Sequence, residues 1–348
     1  MKLGFVVNRL ETERPLYTTT LLAMAAASRG HEAWTIGVGS FIYAADGSLH
    51  AIARLAPTGE YSDPERFHEA RKGEASREER IALETLDVLL LRYDPAEDAV
   101  KRPWAQTAGI IFAELAMHRN VIVLNDPTTL ARALNKTYFQ HFPEQVRPRT
   151  CISRDIEEIK EFIHEEKGRA VIKPLQGSGG HGVFLVEAED GANTNQMIEA
   201  VIRDGYAIVQ EYLPAAAEGD TRLFVMNGSP LVCDGEYAAI RRVRKGGDLR
   251  SNSHAGGGVE RAAVNDEILG VVEIVRPKLL QDGMWLVGLD VAGDKLMEIN
   301  VFSPGGLHSA GRFTGKDFAA EIVRDLEHKV SYKRHYRDAA ENITLATL

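Results

Sequence analysis

The chain has 348 residues, of which 44% are hydrophobic and 26% charged, an ordinary globular composition. Its 41 Lys and Arg residues and 50 Asp and Glu residues give a net charge of −9, which argues against bulk-charge binding to nucleic acid or anionic membranes. Two cysteines without CxxC or CxxH spacing exclude a disulfide scaffold and a cysteine zinc site. No apolar run approaches the roughly 18 residues of a membrane span. We therefore expect a cytoplasmic protein with no membrane or nucleic-acid partner.

The first 124 residues alternate between short apolar runs and helical segments. Strands are predicted over 3–7, 32–38, in the run 86–95 and in the run 121–127, which Asp and Pro end, and helices over 16–29 and 103–119. This order predicts an open α/β domain over 1–124. Ligands bind beyond the carboxyl ends of such strands, which places Asn8, Arg92, Asp94 and Asn125 near a cleft. Each of these four residues could equally be a turn or capping residue.

From residue 126 the pattern changes to helices and glycine-rich loops. Helices are predicted over 128–141 and 155–167. Lys136 lies on the first of them, where the plain interpretation is a solvated surface charge. The polar residues 331–348 predict a peripheral tail.

Four glycines stand within residues 177–182, between two β-rich runs. They satisfy GxGxxG, but the chain continues as a strand rather than a helix, which excludes a dinucleotide-binding fingerprint. A hairpin over a triphosphate is the functional interpretation, because residues without Cβ let backbone N–H groups approach phosphate oxygens. Lys173 precedes the loop, unlike the lysine of protein kinases. A plain flexible hairpin is the structural alternative.

Residues 287–300 form two alternating apolar runs around Gly293-Asp294, a strong hairpin signal. A three-residue turn at 293–295 would place Asp290 opposite Glu298, with Asn300 on the same face. Facing carboxylates are destabilising unless a cation lies between them, and Mg²⁺ takes one or two carboxylates plus substrate phosphates. The pattern predicts a metal site, with an exposed face in another register as the alternative.

Basic residues concentrate in 240–258 of this acidic protein, and Arg222 begins an earlier predicted strand. The cluster comprises Arg241, Arg242, Arg244, Lys245 and Arg250. These side chains could offset triphosphate and carboxylate charge. RNA binding is the charge-based rival, but the segment lacks the interleaved aromatics that stack on bases.

Together these motifs resemble the ATP-grasp superfamily and, more closely, the bacterial glutathione synthetase group. The matching segments, in the family's order, are LDVLLLRYDP, VLNDPTTLARALNK, VIKPLQGSGGHGVF, QEYLP, GDTRLFV, RRVRKGGDLRSNSHAGGG and GLDVAGDKLMEINVFSP. The resemblance implies an α/β (α+β ATP-grasp) fold with a glycine-rich lid. Its implied parts are a pre-ATP-grasp domain over 1–124, a lid and central domain over 125–212, and a C-terminal ATP-grasp domain over 213–330, before the tail 331–348.

The resemblance also implies roles, position by position. ATP contacts fall on Lys136, Lys173, the lid residues Gly177, Ser178, Gly179, Gly180 and Gly182, the adenine hinge Gln210, Glu211, Tyr212 and Leu213, and the ribose-side Asp220. Metal ligands, for Mg²⁺ or alternatively Mn²⁺, are Asp290, Glu298 and Asn300. Arg222 and Arg242 stabilise charge at the transferring phosphoryl group, and Arg250, Asn252 and Ser303 bind substrate.

The implied chemistry is ATP-dependent ligation of a carboxylate to an amine through an acyl phosphate, with γ-glutamylcysteine and glycine as the favoured pair. After Pro304 the chain reads GGLHSAGRFTGKDF, where the family usually carries a further basic and acidic pair. Another γ-glutamyl or amino-acid substrate is therefore one alternative, and a non-catalytic nucleotide-binding regulator is another. The resemblance also implies a homo-oligomer, a dimer or tetramer.

Overall fold

The computed structural model describes residues 1–73, 75–177, 182–243, 258–336 and 340–348. The N-terminal part forms a six-stranded sheet. Its strands are β1 (Lys2–Val7), β2 (Glu32–Tyr43), β3 (Leu49–Leu55), β4 (Arg77–Ala82), β5 (Val88–Leu91) and β6 (Ile122–Leu124), in the order β4-β3-β2-β1-β5-β6. Four neighbouring strands, β2, β1, β5 and β6, pair in parallel. Strands β3 and β4 extend the sheet on the β2 side with antiparallel pairing.

The helices of this part are α1 (Thr18–Ser28), α2 (Pro64–Lys72), α3 (Pro95–Asp98) and α4 (Ala105–Met117). The predicted α/β order is confirmed, because β5 is buried along its whole length as its unbroken apolar run requires. Helix α1 ends just before Gly30, whose φ of +78° suits glycine after a helix. Between β3 and β5 the chain also forms α2 and β4, neither of which is predicted from the sequence.

Residues 150–211 form a four-stranded antiparallel sheet, here called the lid sheet. Its strands are β7 (Thr150–Ser153), β8 (Ala170–Pro174), β9 (Phe184–Val186) and β10 (Ala207–Glu211), in the order β7-β10-β8-β9. Helices α6 (Ile156–Glu165) and α7 (Ala192–Ile202) pack on it around a separate apolar core. The β8–β9 pairing bears out the predicted glycine-rich hairpin.

The helix predicted over 128–141 is wrong beyond its first turn. Only α5 (Pro127–Leu130) is α-helical, and 3-10 segments follow at Ala131–Leu134 and Lys136–His141. The break lies at Asn135, which is extended and whose side chain accepts a hydrogen bond from Thr137 N at 2.9 Å. Such a local bond competes with helical backbone pairing.

The C-terminal part forms a second six-stranded sheet from β11 (Asp220–Met226), β12 (Ser229–Pro230), β15 (Ala239–Val243), β16 (Gly258–Arg261), β17 (Leu286–Ala292) and β18 (Lys295–Asn300). Its main order is β16-β15-β11-β17-β18, and β13 (Val232–Cys233) pairs separately with β14 (Glu236–Tyr237). The helices are α8 (Asp266–Gln281), α9 (Leu307–Thr314), α10 (Phe318–Tyr336) and α11 (Asn342–Thr347). Two apolar clusters combine side chains of the N-terminal and C-terminal sheets.

The expected peripheral tail is wrong. Leu345 is 2% exposed, and the Asn342 side chain exchanges two hydrogen bonds of 2.9 Å with the backbone of Val123 on β6. The fully buried Lys329 donates to the carbonyl oxygen of Leu348 at 3.1 Å. The polar composition of residues 331–348 suggested a solvent-exposed segment, but these polar groups form hydrogen bonds with backbone and buried groups of the protein instead of with water. Among the described helices, none is long and apolar enough to cross a bilayer.

Candidate active site

A cavity lies where the 3-10 segments after α5, the lid sheet and β18 meet. Among its lining residues are the predicted site residues Lys136, Lys173, Gly177, Gln210, Glu298, Asn300 and Ser303. The structure therefore brings together residues from four separate motifs of the sequence. Ser178, Gly179, Gly180, Arg250 and Asn252 lie outside the described residues.

Two lysines approach the cavity from different elements. Lys136 is anchored by a hydrogen bond from its backbone N to Leu175 O at 3.1 Å, directly after β8. Burial lowers the pKa of Lys173 to about 8, and the Lys136 ammonium acts in the same direction while Glu298 opposes it. Two ammonium groups in one partly enclosed space favour an anionic ligand.

We expect the affinity of the free protein for ATP to fall as pH rises above about 8. In the free protein the Lys173 side chain is charged below that pH and loses its charge above it. In the complex, the bound phosphate would keep the Lys173 ammonium protonated to higher pH. The affinity should then drop by up to about tenfold per pH unit.

The control is Lys173→Arg, whose guanidinium stays charged and should bind ATP with little dependence on pH between about 7 and 9.5. Titration calorimetry of both proteins at constant ionic strength makes the measurement. Parallel pH profiles for the two proteins would contradict the assignment to Lys173.

The hairpin β17–β18 pairs Asp290 with Glu298, as predicted. The predicted three-residue turn is wrong, because Ala292 pairs with Lys295 and leaves only two residues in the turn. Met297 is an extra residue between the Leu296 and Glu298 pairs, and this bulge restores the register. A bulge of one residue on β18 has the same effect on register as one more turn residue.

Asp290 is fully buried and is held by two arginines. Arg222 donates Nε and Nη2 to the two carboxylate oxygens at 2.7 Å each, and Arg242 Nη2 lies 2.7 Å from Oδ2. Burial would raise the pKa of Asp290, but the two guanidinium groups outweigh it and hold the pKa at about 2. The cations that offset Asp290 are therefore supplied by the protein itself.

Arg242 also pairs with Asp220, donating Nε to Oδ2 at 2.9 Å. Burial alone would lower the pKa of Arg242, but Asp290 and Asp220 together raise it above its usual range. Asp220 is 3% exposed, so its carboxylate faces Arg242 rather than the cavity. Arg222, Arg242, Asp220 and Asp290 thus form one buried ionic network beneath the cavity floor.

The oxygen atoms of β17 and β18 suit a divalent cation. The Glu298 side chain lines the cavity, and its carboxylate makes no hydrogen bond or ion pair with any described residue. Asn300 lies beside it and donates Nδ2 to Asp290 Oδ2 at 3.2 Å. Within the described ranges, no group of three His, Cys, Asp or Glu side chains is close enough to hold a metal. A cation here would take one or two carboxylates and complete its shell from phosphate and water, as Mg²⁺ commonly does.

The predicted adenine hinge, residues 210–213, begins at the end of β10, and only its first residue lines the cavity. Gln210 lines the cavity, is 5% exposed and donates Nε2 to Thr150 Oγ1 at 3.0 Å. Glu211 accepts from Arg149 N at 2.9 Å, and Tyr212 lies under the guanidinium of Arg169, 3.9 Å from its ring centre. The next three residues of the chain after Gln210 do not line the cavity: Glu211, Tyr212 and Leu213.

The lid hairpin needs glycine at its described ends. Gly177 has a φ of +143° and Gly182 a φ of +70°, both in the region that L side chains rarely adopt. A Cβ on Gly182 would also lie 3.3 Å from Pro174 Cδ. The two residues therefore hold a conformation that leaves little room for other residue types.

A residue that the sequence only hinted at fixes the loop after β18. The buried Arg92 donates Nη1 to Phe302 O at 3.2 Å and Nη2 to Pro304 O at 3.3 Å. Arg222 adds a bond from Nη1 to Gly305 O at 3.3 Å. The loop that contains Ser303 is thus held from both sides, by an N-terminal and a C-terminal strand.

The other residues at strand ends divide into structural and cavity-lining groups. Asn125 accepts from Leu286 N at 2.9 Å and donates to Val301 O. Asn8 donates to Asp94 O and to Asp98 Oδ2, each at 2.8 Å. Asp94 both caps α3 and lines the cavity. Their position after buried strands was the only signal in the sequence, and it does not distinguish the two roles.

Comparison with known proteins agrees with this geometry. Residues 1–131 match the family described as prokaryotic glutathione synthetase, N-terminal domain, and residues 135–315 match prokaryotic glutathione synthetase, ATP-grasp domain. A glutathione synthetase from Gloeobacter violaceus is 34% identical over 328 residues, covering 93% of this chain and 95% of that protein. One from Synechococcus elongatus is 32% identical, covering 95% and 99%.

Solved structures show the same fold at low identity. D-cycloserine synthetase DcsG superposes with a TM-score of 0.59 at 14% identity, covering 94% of this chain and 100% of that chain. The ATP-grasp ligase PsnB, complexed with a minimal precursor, gives 0.56 at 18% identity, covering 93% and 98%. The matched family implies the use of ATP and a divalent metal with small-molecule substrates. With the two lysines, the carboxylate hairpin and the loop after it all inside the matched residues, the chain belongs to the prokaryotic glutathione synthetase family and is an ATP-grasp ligase.

Proposed function

We propose that this enzyme joins γ-glutamylcysteine to glycine with hydrolysis of ATP to ADP and phosphate, the last step of glutathione biosynthesis. The observation that carries the proposal is the cavity in which Lys136 and Lys173 face Glu298 and Asn300. Lysines supply charge for the phosphates, and the oxygen ligands hold the cation that accompanies them. Curated relatives named glutathione synthetase, matched over most of the chain, support the choice of substrates.

The reaction runs in two displacements. The substrate carboxylate attacks the γ-phosphorus of ATP, the bond to the β-phosphate oxygen breaks, and an acyl phosphate and ADP result. The amine nitrogen then attacks the acyl carbon, loses a proton to solvent and expels phosphate, leaving the amide. Catalysis of this kind rests on positioning and charge neutralisation rather than on a protein nucleophile.

The protein's own residues supply that positioning. Lys136 and Lys173 would bind phosphate oxygens, and Glu298, Asn300 and Asp290 would hold Mg²⁺, which when bound neutralises charge on the phosphates. Arg222 and Arg242 would stabilise the transferring phosphoryl group, with Asp290 fixing both guanidinium planes. Gln210, Glu211, Tyr212 and Leu213 would receive adenine, and Ser303 would contact the acid substrate. Asp220, whose carboxylate faces Arg242, would orient that guanidinium rather than contact the ribose.

A second candidate is ligation of a different γ-glutamyl or amino-acid substrate. It is favoured by the segment after Pro304, which lacks the further basic and acidic pair usual in the family and instead enters α9 through Gly305 and Gly306. A purely regulatory nucleotide-binding role is disfavoured, because the metal-ligating residue types are all present on the hairpin.

The test is turnover of the full chain with Mg-ATP, γ-glutamylcysteine and glycine, followed by phosphate release and mass spectrometry of the product. We expect one phosphate per glutathione and no release when either acid or amine is omitted. Turnover with another acid and amine but not with this pair would retain the ligase and reject the substrates. ATP binding without phosphate release across a broad panel would favour the regulator.

We further propose Mg²⁺ as the physiological metal, with Mn²⁺ as the alternative, and a cytoplasmic homo-oligomer, dimer or tetramer. The oxygen donors of the hairpin support the choice of Mg²⁺. Restoring activity to chelator-treated enzyme with each metal tests the first point. Light scattering of the eluted protein after gel filtration tests the assembly.

A further inference from the structure

A second cavity lies in the N-terminal part of the molecule, away from the catalytic residues. Its lining comprises Leu10, Glu11, Thr35, Arg54, Arg71 and Lys72, from the turn after β1 and from β2, β3 and α2. None of these residues lines the cavity that holds Lys136 and Lys173. It is therefore a separate compartment, which neither the proposed reaction nor the matched motifs use.

Three of the residues that line this cavity carry a buried hydrogen-bond donor without a partner among the described residues. The Thr35 hydroxyl belongs to a residue only 1% exposed, and Arg71 Nη1 to a residue only 3% exposed. Arg54 Nε is also buried without a partner, although its Nη2 bonds to Glu78 at 3.2 Å. Buried polar groups are almost always paired, so three such groups on residues that line one cavity indicate a ligand that accepts hydrogen bonds.

Arg71 is a buried cation without an ion pair among the described residues. Within the part of the chain that the structure describes, its side chain makes one hydrogen bond, from Nη2 to His68 Nδ1 at 3.0 Å. Burial, followed by the charges of Arg71 and Lys72, lowers the pKa of His68 to about 4, so the imidazole is neutral and accepts this bond. Burial raises the pKa of the nearby Glu13 to about 6, against the pull of Arg71 and Arg92. The Glu13 carboxylate therefore offsets part of the Arg71 charge near neutral pH without forming an ion pair with it in the described ranges, and a buried charge that lacks such a pair is unfavourable.

The charge of the cavity selects the ligand class. Arg54, Arg71 and Lys72 carry positive charge, and Glu11 is the only acidic residue among the described residues of the lining. We propose that this cavity binds a small oxyanion, a carboxylate or a phosphate group, through Arg71 Nη1, Arg54 Nε and the Thr35 hydroxyl. Guanidinium and hydroxyl donors match the oxygens of both groups.

The experiment is thermal unfolding of the full chain, titrated separately with inorganic phosphate and with succinate at an ionic strength held constant with sodium chloride. We expect a saturable rise in Tm with at least one anion, and the anion that saturates assigns the ligand class. Arg71→Gln should raise the half-saturating anion concentration at least about tenfold, and the isosteric Thr35→Val should raise it about threefold to tenfold. Thr35→Val keeps the test valid if Arg71→Gln does not fold.

A control locates the effect. Arg66→Gln removes an exposed arginine from the same helix and should retain the anion response. A rise in Tm that never saturates, or that persists unchanged in Thr35→Val and Arg71→Gln, would overturn the proposal. Because the readout is binding, its failure would leave the proposed ligase activity untouched.

Discussion

Replacing Glu298 by Gln should lower kcat/KM for ATP by at least about 100-fold without unfolding the protein. The carboxylate lines the cavity and makes no bond to any described residue, so its loss would remove the proposed metal ligand and little else. The free energy of unfolding should change by less than about 0.5 kcal/mol, as for a site away from buried networks. Steady-state phosphate release and urea unfolding supply the two readings.

The matched control for this variant is Asp294→Asn, which makes the same carboxylate-to-amide change in the exposed turn of the same hairpin. It should retain wild-type turnover. Unchanged kinetics in Glu298→Gln, or an equal loss in both variants, would remove the metal assignment from β18.

Asp290→Asn should instead destabilise the fold by about 3–5 kcal/mol and also abolish turnover. Its carboxylate is fully buried between Arg222 and Arg242, and the amide cannot balance two guanidinium charges, although Asp220 still pairs with Arg242. Urea unfolding near neutral pH measures the loss. Glu298→Gln is the control from the opposite strand, and equal stability of the two variants would contradict the buried network.

The dependence on pH gives Asp290→Asn a second signature. The folded-state pKa of Asp290 is about 2, below its ordinary value of 3.8. A carboxylate with a lowered pKa stabilises the fold above its unfolded pKa, and this contribution is lost as pH falls from about 4 through 2. The wild type should lose its stability advantage over Asp290→Asn across that interval, measured as the difference in unfolding midpoint.

The local part of this site, the carboxylate hairpin, could be predicted from the sequence. Alternation at period two and a glycine turn predicted that Asp290 faces Glu298, and the pairing is confirmed. The compensating bulge at Met297 could not be predicted, because nothing in the pattern distinguishes a longer turn from an extra residue in the strand. The partners of Asp290 were also hidden, since Arg222 and Arg242 reach it only through the strand order β15-β11-β17.

One local and one non-local contact account for two other differences. Asn135 interrupts a helix whose apolar spacing looked continuous, because its side chain accepts a hydrogen bond from the backbone N of Thr137. The cavity around Thr35 and Arg71 combines β2 and α2, which lie far apart in the sequence and show no shared motif. The roles of the lid and hinge residues stay predictions, as does the metal.

The bonds between Asn342 and Val123 have a consequence for biosynthesis. Strand β6 lies at the outer edge of the N-terminal sheet, and an open strand edge is a template for unwanted pairing. All six strands of that sheet leave the ribosome more than 200 residues before Asn342 does. The nascent chain therefore carries this edge uncovered until Asn342 on α11 has emerged and can bond to it.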